Sequence, residues 1–97
     1  MIKNVLVTGG SGGIGSAIVD ELFKIGKENI RINSISPGTV VTEATEKEPK
    51  DFTELLKGTA INSFATKEEI AKTVKFVLET HGITGQNIIV DSGQSSI

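Results

Sequence analysis

A glycine cluster close to the start of the chain constrains its fold more than any other feature. Thr8-Gly9-Gly10-Ser11-Gly12-Gly13-Ile14-Gly15 follows a short Ile/Val/Leu run at residues 2 to 7 and precedes a segment with helical apolar spacing. A β-branched run that meets a turn at once reads as a buried parallel strand. Ile14, Ala17, Ile18, Leu22 and Ile25 then recur at helical spacing, with Val19 and Phe23 widening the stripe. The pattern predicts a helix from about Gly13 to Ile25, stopped by Gly26. Strand, glycine turn and helix together begin a parallel α/β sheet, because a parallel neighbour needs a crossover of this kind.

The rest of the chain keeps that rhythm. Ile30 to Ile35 alternates and meets Pro37-Gly38, which predicts a second strand and a turn. Residues 39 to 65 are irregular, and only Phe52, Leu55 and Leu56 suggest a short helix in what otherwise reads as a loop. Thr66-Lys67-Glu68-Glu69 matches a capping box, and Ile70, Ala71, Val74, Val77 and Leu78 follow on one face. A helix from Lys67 to His81, ended by Gly82, is expected, and then a third strand at Asn87 to Asp91. The fold expected is α/β: a minimal Rossmann-like, three-stranded parallel sheet (β-α-β-loop-α-β) with flanking helices and right-handed crossovers. It forms a single domain, 1–97. Within it, 1–26 is the glycine-loop βα unit, 27–42 the strand and Pro-Gly turn, 43–65 the loop, and 66–97 the last helix and strand.

Composition removes several function classes. With no Cys there are no disulfides or thiolate metal sites, and a single His, His81, cannot make a histidine pair for zinc. Ten basic against twelve acidic residues, with no basic cluster, argue against nucleic acid and anionic membrane as partners. The longest apolar runs, such as Ile88-Ile89-Val90, fall far short of the ~18 residues of a spanning helix. The apolar stretch at the start is too short for a signal sequence, so a cytoplasmic location is expected.

The glycine turn carries the chemistry. Its spacing, Thr-Gly-x-x-x-Gly-x-Gly, has no Gly-Lys-Ser/Thr after it and so is not a Walker loop. Backbone N–H groups in such a turn can approach a pyrophosphate at the positive end of the helix. A glycine-rich turn that only packs is the competing reading. His81 suits a helix C-terminus better than catalysis, and Asp91 suits backbone groups of the following turn.

Three blocks of the sequence resemble the short-chain dehydrogenase/reductases, and more closely their 3-oxoacyl-carrier-protein reductase-like members. Met1 to Ile25 looks like that family's first strand, glycine loop and first helix. Asn29 to Thr42 is similar to its sixth strand and Pro-Gly turn, and Thr66 to Gly93 to its last helix and strand. The resemblance implies NAD or NADP as cofactor. It places Gly9, Ser11, Gly13, Ile14 and Gly15 near the pyrophosphate, and Pro37, Gly38, Val40 and Thr42 near the nicotinamide carboxamide. A turn that simply ends a strand is an equal reading of the last four.

The middle of the family pattern has no counterpart. There is no Tyr anywhere, so the family's Tyr-x-x-x-Lys pair is absent, and no catalytic residue or metal ligand is assigned. In the full family the first and sixth strands lie three spacings apart, about 14 Å at ~4.8 Å each. Direct pairing of strand 30–35 with strand 2–7 would shift the Pro-Gly turn relative to the glycine loop. Three functions fit: an NAD(P)-binding remnant without efficient hydride transfer, a non-catalytic oligomerisation module, or a subunit active only with a full-length family partner. Open sheet edges in so small a domain predict a homo-oligomer, through the last helix and strand or through those edges.

Overall fold

The computed structural model describes residues 3–8, 12–25, 29–43 and 52–96. The elements in order are β1 (Lys3–Thr8), α1 (Gly12–Ile25), β2 (Ile30–Pro37), α2 (Phe52–Lys57), α3 (Lys67–Glu79) and β3 (Asn87–Val90), closed by a 3-10 turn at Gln94–Ser96. The expected α/β architecture with a parallel sheet is present. Strand order is β1-β2-β3, with β1 directly beside β2 from Lys3↔Ile30 to Thr8↔Ile35, and β2 beside β3 from Ser34↔Asn87 to Pro37↔Val90.

As the central strand, β2 is buried continuously from Arg31 to Ser36. Its alternate residues point to opposite faces. Ser34 and Ser36 meet α1: a Cβ at Gly15 would lie 3.2 Å from each hydroxyl oxygen. Arg31 and Asn33 point the other way, to α3 and the turn after it. The Arg31 guanidinium, only 6% exposed, donates through Nη1 to the carbonyls of Val77, Thr80 and Ile83 and through Nη2 to that of Leu78. Asn33 donates to the Ile83 carbonyl and accepts from the Gln86 amide. The two helices therefore cover opposite faces of a sheet whose strands run in one order. That arrangement gives the two crossovers opposite hands, so the expectation of right-handed crossovers throughout does not hold. The many carbonyl contacts of Arg31 hold the last helix to the face that the handedness preference would leave bare.

Local signals start α3 where they were expected. Thr66 is its N-cap, with reciprocal bonds between the Thr66 side chain and Glu69 amide and between the Glu69 side chain and Thr66 amide. The helix stops at Glu79, two residues before His81, and its last carbonyls go to Arg31. A cation at this end suits the helix dipole, but it comes from β2 and not from His81. The short helix expected around Phe52 is present as α2, and Val40 bridges Ala65 across the long connection.

Helix α1 packs differently from the expected stripe. Val19 is 2% exposed, whereas Ile14 is 63% and Ile18 38% exposed, and Ala17 is exposed with them. Gly15 lets the backbone sit close to the two serines, so the face holding Gly15 and Val19 turns inward. Ile14 and Ile18 lie about 100° away around the helix and turn out.

Arg31→Met removes the bonds to four carbonyls that water cannot fully replace. We expect the free energy of unfolding in urea to fall by about 2–3 kcal/mol, and Arg31→Lys, which lacks the planar fork, to recover only part of it.

Candidate functional site

The carboxyl ends of the strands form the candidate site. After Thr8 the chain passes to α1 on one face of the sheet, and after Pro37 it leads to α3 on the other. Connections that leave adjacent parallel strands toward opposite faces open a crevice between them, and open α/β sheets bind ligands in such crevices. The start of α1 lies toward one wall and the Pro-Gly turn toward the other.

Of the nine residues singled out for cofactor contact, five belong to the glycine cluster. Gly9 and Ser11 lie outside the described residues. Gly13 and Ile14 fall in the first turn of α1, which carries no acidic residue to neutralise the positive end of the helix. Gly15 lies one residue further on and is buried against Ser34 and Ser36, where it serves close helix-to-sheet packing. Beneath it both serine hydroxyls donate to Asn87 Oδ1, at 2.6 and 2.7 Å. Sequence reasoning missed this polar layer. Its signal is small polar residues at alternate positions of a strand facing a glycine-rich helix.

Pro37 and Gly38 form one wall of a cleft of about 290 Å³, with Ser36, Ile89, Asp91, Gln94 and Ser95 around it. The Gly38 amide donates to the Val90 carbonyl, 3.0 Å, and the Thr39 amide to Gln94 Oε1, 2.9 Å. Gln94 Nε2 donates in turn to the Thr39 hydroxyl. Gly38 is required here: a Cβ would meet Gln94 Oε1 and come within 2.8 Å of Asp91 Cα. Val40 lies in the bridge to Ala65, and Thr42 is half-buried further along. The turn is thus strapped to the segment after β3, and Gln94 is the strap.

Asp91 anchors that segment. Its carboxylate accepts from the Gly93 and Ser95 amides at 2.8 and 2.9 Å, the backbone role expected of it. The Ser95 hydroxyl and then the Ser95 amide hold the carboxyl below its ordinary value; burial opposes them and the Gly93 amide adds to them. Because the folded-state value is depressed, the contribution to stability is present above the unfolded pKa of about 3.8 and is lost as pH falls through the folded value. We expect acidification through the carboxylate range to loosen residues 91–96 in amide exchange, and Asp91→Asn to remove that pH dependence.

Among the described residues no group of three His, Asp or Glu side chains is placed to hold a metal, and no helix is long and apolar enough to cross a membrane.

Residues 23–95 match the family model described as enoyl-(acyl carrier protein) reductase. The chain is 38% identical over 92 residues to the NADH-dependent enoyl-acyl-carrier-protein reductase of Bacillus subtilis, covering 84% of this chain and 35% of that one. It is 36% identical over 87 residues to the human 3-oxoacyl-acyl-carrier-protein reductase, covering 88% and 34%. Its fold is similar to that of a short-chain dehydrogenase/reductase family oxidoreductase from Burkholderia thailandensis, with a TM-score of 0.82 and 24% identity over 97% of this chain and 45% of that one. The chain thus spans about a third of the length of these curated relatives.

Proposed function

Because the chain belongs to the short-chain dehydrogenase/reductase family, we propose that it is a nucleotide-binding remnant of such a reductase, one that takes NAD or NADP at the crevice and carries out no efficient hydride transfer. The observation that carries this reading is the divergence of the connections after β1 and β2 to opposite faces, with the glycine-rich start of α1 at one wall. Backbone groups of Gly13 and Ile14 would face a pyrophosphate, and the first turn of α1, which holds no acidic residue, would favour its charge. The name of the Bacillus subtilis relative, which specifies NADH, is consistent with a nicotinamide cofactor.

Hydride transfer to a carbonyl needs a group that gives or takes the proton in the same step. The chain has no Tyr, and it spans only about a third of its relatives. Loss of a positioned general acid typically costs on the order of 10²–10⁴ in rate.

A second reading has its own support. Ile14, Ile18, Phe76 and Ile89 expose large apolar surfaces, and β1 and β3 are edge strands. Such features favour self-association, or association with a full-length family member, in a cytoplasmic assembly module whose glycine turn only packs. Calorimetric titration with NADH and NADPH, run beside light scattering, separates the readings. Micromolar binding without carbonyl reduction is expected. Silence at millimolar cofactor, together with a mass that rises with concentration, would instead select the assembly module.

A further inference from the structure

One flank of α1 has no cover among the described residues. Gly15 sits on Ser34 and Ser36 of β2, so it marks the line along which the helix faces the sheet. At about 100° per residue, Phe23 falls to one side of that line and Ile14, Ile18 and Glu21 to the other. Phe23 leans toward β3: a Cβ at Gly85, two residues before that strand, would lie 3.3 Å from its ring. The opposite flank therefore faces β1. There Ile14, Ala17, Ile18, Glu21 and Leu22 line a groove of about 450 Å³, and Ile14 and Ile18 are both exposed. Among the described residues β1 is paired on one side only, so the apolar flank and an open strand edge lie together.

An open edge takes a strand, and an apolar flank beside it takes a second apolar flank. A second copy of this chain supplies both at once. A two-fold axis normal to the sheet pairs β1 with β1 antiparallel and keeps both α1 helices on one face, their flanks toward each other. Strand and helix agree on where that axis lies. Gly15 sits near the carboxyl end of β2 and Phe23 near the start of β3, so α1 runs back along the strands. Six residues of β1 extend about 20 Å and fourteen of α1 about 21 Å, so an axis through the middle of β1 passes close to Ile18, the middle of the flank. Charge agrees as well. Glu21, three residues beyond Ile18, comes opposite the first turn of the second α1, a positive helix end that holds no acidic residue. Its pair with Lys24 is exposed on both sides and offers little competition.

We propose that the chain forms a two-fold dimer through the outer edge of β1 and the Ile14–Ile18 flank of α1, which joins two three-stranded sheets into one of six strands. This rests on the self-association reading above and gives it one interface; it does not depend on cofactor binding.

Light scattering on the full chain over a concentration series reads the dimer. Ile18→Glu places a charge from each copy at the axis and should raise the dimer Kd by at least about tenfold. Phe76→Glu, at an exposed position of α3 across the sheet, should leave it within about threefold, with circular dichroism checking that both variants fold. The chain has no Cys, so Ile18→Cys carries one thiol per copy. A short bismaleimide should join two copies through it and should not join Phe76→Cys, a result that decides the matter if Ile18→Glu does not fold. A dimer that survives Ile18→Glu, or a crosslink through Phe76→Cys and not through Ile18→Cys, overturns this interface and leaves self-association standing. A chain that stays monomeric at every concentration removes both.

Discussion

A buried guanidinium held by carbonyl oxygens organises this protein. Arg31 stands in the central strand, and among the described residues its hydrogen-bond partners are carbonyl oxygens at the end of α3 and in the turn that follows. The Val77 and Leu78 carbonyls belong to the helix terminus and those of Thr80 and Ile83 to the turn that follows, so one side chain meets several acceptors at once and places its charge on the negative end of the helix dipole. Its Nε has no partner. A lysine has neither the reach nor the planar fork to repeat this geometry. Asn33, two residues on and on the same face, binds Ile83 and Gln86 and fixes where the chain turns into β3.

Much of the site geometry follows from that attachment. With α3 held on one face and α1 seated through Gly15 on the other, the connections after β1 and β2 must diverge, and the crevice is the gap between them. The cleft beside Pro37 and Gly38 depends on the same path, since β3 delivers Asp91 and Gln94 to it. Glycine is needed at 38 because the strand end and the Asp91–Gln94 segment approach too closely for any side chain. The strand order β1-β2-β3 sets the ends of β1 and β2 side by side, Thr8 opposite Ile35.

Legibility varied with the range of the interactions. Helix α3 was readable because its start is written in four consecutive residues, Thr66 to Glu69, and its apolar face in the next ten. The strands and the short α2 were readable from local alternation and from Phe52, Leu55 and Leu56. The packing face of α1 was misread: apolar spacing marks which residues prefer burial, but Gly15 decided which side could approach the sheet, and Ile14 and Ile18 lost. The helix-end role suited to His81 is filled by Arg31 from 46 residues away or more, a separation over which no local pattern operates. Handedness failed for the same reason, since a general preference gave way to a specific buried contact.

The sequence alone determined that the chain alternates strand and helix, that its strands run parallel, and that a glycine turn opens the first helix. These are consequences of local periodicity and of residues whose backbone freedom is special. The absence of Tyr is also a property of the sequence alone. Tertiary structure decided which strand is central and which face each helix covers. Those outcomes depend on contacts between residues far apart in the chain: the close seat of Gly15 on Ser34 and Ser36, and the hold of Arg31 on the end of α3. Their energies belong to pairs that no window of sequence contains.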